Sequence, residues 1–228
     1  MGALRSVGPF TVALSLGLAL AGPAAFASAP FAAVPGGDTS EGFLARMLIN
    51  ENPFPGERGF ISVPDSKAGM LAVLHVLDAR LRGIPPGYRQ SQVAGISATN
   101  IIDLIVAPHQ CEGFSRDAKG KPTYAPRVEE RLNYLLKIAN TGGKPGRFAE
   151  LLNHGQGLAR SYLAGGLEAA DRFAQLTTIR QVRVTGRAYS WMTDMDCYNP
   201  GGNFVKIPDD LGGAPGGNRY FTLRKEPK

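Results

Sequence analysis

The chain has 228 residues, with 43% hydrophobic and 19% charged residues, and a formal net charge of +6 at pH 7. This length is sufficient for one domain with a proper hydrophobic core. The Lys and Arg residues are scattered, with no dense basic run and no interleaved aromatic residues, which argues against a nucleic-acid-binding protein. The excess of positive charge then fits either an ordinary solvated surface or an anionic partner.

The N-terminus has the pattern of a secretory signal peptide. Arg5 is the only charge ahead of the apolar run "VALSLGLALAG", and the small-residue stretch "PAAFASAP" follows it. We predict a signal peptide over residues 1–27, a linker over 28–37 and a single domain over 38–228. The alternative is an uncleaved membrane anchor, although the run is short and rich in Gly and Ala. After cleavage we expect an exported, periplasmic or extracellular protein with no stable membrane insertion.

The first predicted helix ends at a carboxylate. "DTSEGFLARMLINEN" opens with Asp38 and, three residues later, Glu41, as in a capping box. Apolar residues then recur at helical spacing, and Glu51 falls on the same stripe as Met47 and Leu48. The prolines that follow stop the helix. The pattern therefore directs Glu51 toward the apolar side of the helix.

The remainder of the chain reads as mostly helical, with a small β element near the C-terminus. The loop between the third and fourth predicted helices is long and polar, and such loops often line functional sites. The segments "RQVRVTGRAYSW" and "GNRYFTLRK" alternate in hydrophobicity like strands. The further predicted helices are 66–83, a short one from Ser97 to Pro108, 127–140, 146–166 and a continuation over "LEAADRFAQLT".

The two cysteines, Cys111 and Cys197, are an even pair, which in an exported protein suggests a disulfide. Two free buried thiols are the alternative. The three histidines show no ligand spacing with each other or with the cysteines, so we expect no metal site. Phosphate-binding loops and nucleophile elbows are missing from the sequence, and we expect no cofactor.

Glu51 is the first candidate for chemistry. A carboxyl group in apolar surroundings has a raised pKa, because burial disfavours its charged form, and a general acid for glycosidic cleavage needs this property. Glu57 follows across a proline-bent loop and could supply a second carboxylate. The alternative for Glu51 is a helix-end charge paired with Arg46, Arg58 or another base.

Three segments resemble the spore-cortex-lytic type of bacterial cell wall hydrolase. They are "LARMLINEN…PGERG", the helix "GMLAVLHVLDAR" and the loop "HQCEGFS". Glu51 falls on the first Glu of that family's motif, its presumed catalytic acid, and Glu57 corresponds to the second. The sequence departs from the family at Asn52 and Pro53, at Ala79 in place of an Asn, and in the loop, which carries a cysteine. The other matching residues are Ala45, Arg46, Ala72, Val73, Arg80, Gln110, Phe114 and Ser115.

The resemblance implies a mainly α, lysozyme-like (α+β) fold with a helical core. It also implies cleavage of peptidoglycan between N-acetylmuramic acid and N-acetylglucosamine, with Glu51 as general acid, by a lytic transglycosylase or by a hydrolase that uses Glu57 or Glu112. An alternative is a non-catalytic exported protein that binds glycan or an envelope partner. The sequence does not fix the oligomeric state. Candidate sugar-binding residues are Gln110, Glu112, Tyr124 and Tyr134.

Overall fold

The computed structural model describes residues 30–167, 169–193 and 200–225. In this part of the chain six α-helices precede a four-stranded antiparallel sheet, and a two-stranded hairpin separates the fourth helix from the fifth. The helices are α1 (Ser40–Asn50), α2 (Val63–Arg82), α3 (Gln90–Ala94), α4 (Ile101–Ile105), α5 (Pro126–Thr141) and α6 (Arg147–Leu163). The strands are β1 (Phe114–Arg116), β2 (Pro122–Tyr124), β3 (Thr178–Ile179), β4 (Val182–Thr193), β5 (Phe204–Lys206) and β6 (Asn218–Arg224).

The prediction of a mainly α, lysozyme-like fold is wrong, because the described residues form an α+β structure with two antiparallel sheets. The C-terminal sheet is a curled half-barrel in the strand order β3-β4-β6-β5, not a small β element. The long polar loop also contains β structure, since β1 pairs with β2. The sequence pattern underestimated β structure because four of the six strands have only two or three residues, too few to show an alternation.

Helix α1 lies at the centre of the helical part. Every residue from Gly42 to Ile49 is buried, so this helix is covered on all sides and not along one stripe. Thr39 caps its N-terminus, with its Oγ1 accepting a hydrogen bond from the Gly42 N–H at 3.0 Å. The helix stops at Asn50, close to Pro53, whose ring lacks an N–H for the helical hydrogen-bond ladder.

Helix α2 connects the helical core to the sheet. It is 20 residues long and begins at Val63, with Ser62 as its N-cap and a proline in the first turn. Most of its buried apolar residues, between Ala72 and Leu77, belong to the same hydrophobic cluster as most of α1 and part of β4. The predicted helix over "LEAADRFAQLT" is wrong: residues 167 and 169–177 form turns and extended backbone, and residue 168 lies outside the described part.

The curl of the sheet arises on β4. Its pairing with β6 is irregular between Val184 and Ser190 and then regular up to Thr193, which lies opposite Asn218. Gly186 lies in this irregular part with φ of +80°, and a Cβ there would lie 3.2 Å from two backbone carbonyl oxygens. Glycine is therefore required where the strand bends. The bend leaves the C-terminal end of β4 beside the end of α1.

Residues 30–37 of the predicted linker lie in the described part of the chain, and Ala32 is hydrogen-bonded to α5. Asn140 on α5 donates a hydrogen bond to the Ala32 carbonyl and accepts one from the Ala32 N–H, at 2.9 and 3.0 Å. The predicted signal peptide lies outside the described residues. None of the helices in the described ranges is both long and apolar enough to cross a membrane.

Candidate functional site

Glu51 occupies the C-cap position of α1. Its backbone N–H still donates to the Met47 carbonyl at 3.0 Å, whereas its own carbonyl accepts a hydrogen bond from Asn218 Nδ2 at 3.0 Å. Asn218 is the first residue of β6 and is fully buried. The last strand of the sheet therefore fixes the backbone of the candidate acid.

The carboxylate of Glu51 bonds to the chain's single tryptophan. Trp191 Nε1–H donates to Glu51 Oε2 at 2.9 Å, from the C-terminal part of β4. Trp191 is buried, and its indole forms one wall around the half-buried carboxylate. Because an indole N–H only donates, Oε2 is the acceptor in this bond.

Burial raises the pKa of Glu51 above its ordinary value, and the hydrogen bonds from Trp191 and Asn50 oppose this rise. The negative charge of Glu112 raises the pKa further, whereas the positive charge of Arg131 lowers it. The net effect is a raised pKa, as a group needs if it is to donate a proton near neutral pH.

Two cavities meet at Glu51 and form a groove. They measure about 300 and about 350 Å³, and both are lined by Asn50, Glu51, Arg131 and Thr193. The carboxylate therefore lies at their junction, with space on either side for parts of a polymeric ligand. The first cavity is also lined by Asn52, Pro53, Glu57, Arg58, Gly59, Gly216 and Gly217, and the second by Glu112 and Arg127.

Close backbone packing forms one wall of the first cavity. The turn at Gly216 lies against Gly69 of α2, and a Cβ on Gly69 would lie 2.6 Å from the Gly216 Cα and 2.3 Å from Asn52 Oδ1. Gly216 itself has φ of +64°, a conformation that favours glycine. Glycine at both positions therefore allows the turn before β6 to approach the end of α1.

The predicted second carboxylate, Glu57, lines the groove but is engaged by the protein. Arg131 Nε and Nη2 donate to its two carboxylate oxygens at 2.9 and 2.6 Å, and Glu57 Oε2 also accepts from the Phe54 N–H at 2.7 Å. The same guanidinium donates to the carbonyls of Ile49 and Asn52, at 2.7 and 2.9 Å. Glu57 and Arg131 thus hold the chain that leaves α1.

Of the four predicted sugar-binding residues, only Glu112 lines the groove. It is exposed, and its carboxylate accepts from Arg127 Nη2 at 2.7 Å. Tyr134 lies on α5 and is 63% exposed, away from both cavities. Tyr124 lies in β2 against Phe43 and Phe114, where Arg46 stacks over its ring.

The fourth, Gln110, bonds to Arg80 and to the end of α3 and does not line either cavity. Its Oε1 accepts from Arg80 Nη1 at 2.8 Å, and its Nε2 donates to the Ala94 carbonyl at 2.7 Å. Arg80 in turn donates through Nε to the Tyr189 carbonyl at 2.6 Å and lies over the Trp191 ring, 5.1 Å from its centroid. Gln110 is therefore linked to the tryptophan side of the site through Arg80.

Arg46, considered above as a partner of Glu51, pairs with Glu129 instead. Its Nε and Nη2 donate to the two Glu129 oxygens at 2.7 and 3.1 Å. This pair lowers the pKa of Glu129. Arg46 thus ties the middle of α1 to α5, one to two turns before Glu51.

Cys111 is buried near the site, and burial raises the pKa of its thiol well above the ordinary value. The charge of Glu51 adds to that rise, and the charge of Arg80 opposes it. Its predicted disulfide partner, Cys197, lies outside the described residues, so this pairing stays a prediction. In the described ranges no group of three or more His, Cys, Asp or Glu residues is arranged to hold a metal ion.

Sequence reasoning missed Trp191, Arg131, Asn218 and Thr193. They come from α5 and from the last two long strands, between 80 and about 167 residues from Glu51. Their helical and strand patterns were visible, but only the pairing of strands places them at Glu51. One available signal was that the single tryptophan lies in an alternating strand, since a buried indole N–H needs an acceptor.

Comparisons of the chain with protein-family models, with curated proteins and with solved structures return no match.

Proposed function

We propose that the protein is an exported peptidoglycan-cleaving glycosidase, a lytic transglycosylase in which Glu51 is the general acid and base. The bond cleaved joins N-acetylmuramic acid to N-acetylglucosamine. The observation that carries the proposal is the placement of Glu51, a half-buried carboxyl with a raised pKa at the junction of two cavities. The motif around Glu51 supports the choice of peptidoglycan.

The reaction needs one carboxyl group. Glu51 Oε1 donates its proton to the glycosidic oxygen as the bond from that oxygen to C1 of the muramic residue breaks. The resulting carboxylate then accepts the proton of the muramic 6-hydroxyl, whose oxygen bonds to C1. The products are a free N-acetylglucosamine hydroxyl and a 1,6-anhydromuramic end, no water is consumed, and Glu51 is protonated again.

The engagement of the neighbouring carboxylates supports a single-acid mechanism over a two-carboxylate one. Glu57 accepts two hydrogen bonds from Arg131 and one from a backbone N–H. Glu112 is exposed and paired with Arg127. Arg131 therefore acts in this proposal by fixing the loop after α1.

The test is digestion of purified peptidoglycan by the wild type, by Glu51→Gln and by Glu130→Gln, with products identified by mass. Glu130 is an exposed carboxylate on α5 and serves as the matched control. We expect anhydro-muropeptides from the wild type and Glu130→Gln, and a loss of at least about 100-fold in rate for Glu51→Gln.

Two results would contradict the proposal. Products with reducing ends would identify a hydrolase and exclude the intramolecular step. Binding of peptidoglycan without any products from the wild type would favour the non-catalytic glycan-binding protein.

A further inference from the structure

Arg80 is a buried cation one layer behind the candidate acid. It lies on α2 and is 7% exposed, and Trp191 stands between its guanidinium and the Glu51 carboxylate. We propose that Arg80 is a positioning residue that acts through Trp191 to fix which oxygen of Glu51 carries the transferable proton. This inference rests on the proposed function of Glu51.

The guanidinium is held in one plane by directional bonds. Its Nε donates to the Tyr189 carbonyl at 2.6 Å, and its Nη1 donates to Gln110 Oε1 at 2.8 Å. Tyr189 and Trp191 are two residues apart on β4, and Arg80 contacts the backbone of the first and the ring of the second. A single side chain therefore fixes both the backbone of β4 and the indole plane.

Gln110 anchors this arrangement to a third element. Its amide nitrogen donates to the carbonyl of Ala94, at the end of α3, at 2.7 Å. Arg80 is thereby fixed by contacts to α3 through Gln110 and to β4 directly. A lysine at position 80 could keep the charge but could not reproduce the planar two-way contact.

The fixed orientation of the Trp191 indole in turn orients its hydrogen bond to the Glu51 carboxyl group. With the ring plane fixed, Nε1–H points at Glu51 Oε2 over 2.9 Å, and that oxygen acts as the acceptor in both protonation states. The proton of the acid then resides on Oε1. A cation 5.1 Å from the ring centroid also draws electron density from the indole and makes its N–H a stronger donor.

Other charged and titratable groups act on Glu51, and they would stay in place in Arg80 variants. Glu112 from the polar loop raises the pKa of Glu51, and Arg131 from α5 lowers it. The Cys111 thiol and the Tyr220 phenol also interact with the Glu51 charge. A change seen on replacing Arg80 is therefore attributable to the Trp191 contact or to the charge of Arg80 itself.

The single tryptophan allows a test that needs no substrate. Trp191 fluorescence, measured as a function of pH, reports the protonation of the carboxyl to which its N–H donates. We expect the wild type to show a titration that Glu51→Gln lacks. Weakening the N–H donor destabilises the carboxylate, so Arg80→Met should move the midpoint up by about half a pH unit or more.

Two further variants separate positioning from charge. Arg80→Lys keeps the charge, so an upward shift of the midpoint by about a quarter of a pH unit or more supports positioning. Arg82→Met is the matched control, because Arg82 lies on the same helix at 5.1 Å from the Tyr162 ring centroid, outside the groove. We expect the Arg82→Met midpoint to equal that of the wild type.

The proposal is overturned if Arg80→Lys keeps the wild-type midpoint, or if Arg82→Met shifts it as much as the Arg80 variants do. Thermal unfolding checks that each variant is folded. If Arg80→Met does not fold, the midpoint of Arg80→Lys alone decides the test. On peptidoglycan, the two Arg80 variants should lose turnover with little change in KM, and Arg82→Met should keep the wild-type turnover. Shifted titrations in a protein that cleaves no peptidoglycan would refute the proposed function and leave the role of Arg80 in place.

Discussion

At the residue scale, the site depends on opposing effects on one carboxyl group. Burial at the end of a helix whose residues from Gly42 to Ile49 are all buried raises the pKa of Glu51, and the Trp191 N–H limits the rise by stabilising the carboxylate. The balance keeps the acid protonated over a wider pH range than an exposed glutamic acid. The cost is a destabilising charge whenever the group ionises in the folded protein.

This cost predicts a pH-dependent stability difference. Because the folded-state pKa of Glu51 lies above its unfolded value, ionisation favours the unfolded state as pH rises from the unfolded value to the folded one. We therefore expect Glu51→Gln to be more stable than the wild type at pH 7 and above. The gain should disappear below about pH 4, where both states are protonated.

The measurement is the unfolding temperature of both proteins from pH 3.5 to 8. Glu130→Gln, which removes an exposed carboxylate, should follow the wild type across the range. A Glu51→Gln advantage that is equal at pH 3.5 and pH 8 would contradict the assignment of a raised pKa.

At the element scale, the end of α1 is held by one arginine from α5. Arg131 bonds to carbonyls on both sides of Glu51 and to Glu57, and its guanidinium lies over the Phe54 ring at 5.4 Å. Arg131 thereby supplies donors to the Ile49 carbonyl in the last turn of α1 and to the Asn52 carbonyl just beyond it. The geometry of the groove at Glu51 depends on this contact between two helices.

Replacing Arg131 should therefore destabilise the fold as well as the site. We expect Arg131→Met to lower the free energy of unfolding by about 2–3 kcal/mol, since it removes the hydrogen bonds to two carbonyls and to both oxygens of the half-buried Glu57 carboxylate. Chemical denaturation measures this difference.

Arg127→Met on the same helix is the control. Its ion pair with Glu112 is largely exposed, so its loss should cost less than about 1 kcal/mol. Equal losses for the two variants would show that Arg131 contributes no more than a surface ion pair does.

At the scale of the whole molecule, the last strand of the described chain lies inside the sheet. Strand β6 pairs with β4 on one side and β5 on the other, and Tyr220, Phe221 and Leu223 are buried. Asn218 carries the bond to the Glu51 carbonyl. The helical part and the sheet are thus joined through a strand near the C-terminal end of the described residues.

A chain ending at Gly217 should consequently lose its cooperative unfolding transition. It would expose both neighbours of β6 and remove three large buried side chains, each worth about 3 kcal/mol. Near-ultraviolet circular dichroism and thermal unfolding provide the readout. A sharp transition in the truncated chain would mean that the helices fold independently of the sheet.

Much of the helical part is predictable from the sequence, for local reasons. The apolar spacing and the prolines place α1, α2, α5 and α6 to within a few residues, and direct Glu51 toward the buried side. The short strands are not predictable in this way. Each has too few residues to show an alternation and is defined only by the strand it pairs with, as β3 is by β4 and β5 by β6.

The sequence by itself determined the buried helix, its end at the prolines and a carboxyl group at that end. Only the tertiary structure decided what surrounds this carboxyl: the tryptophan from β4, the asparagine from β6, the arginine clamp from α5 and the groove. The physical reason is that helix periodicity and proline geometry act over a few residues. The environment of Glu51 instead depends on strand register and helix packing across more than half of the chain.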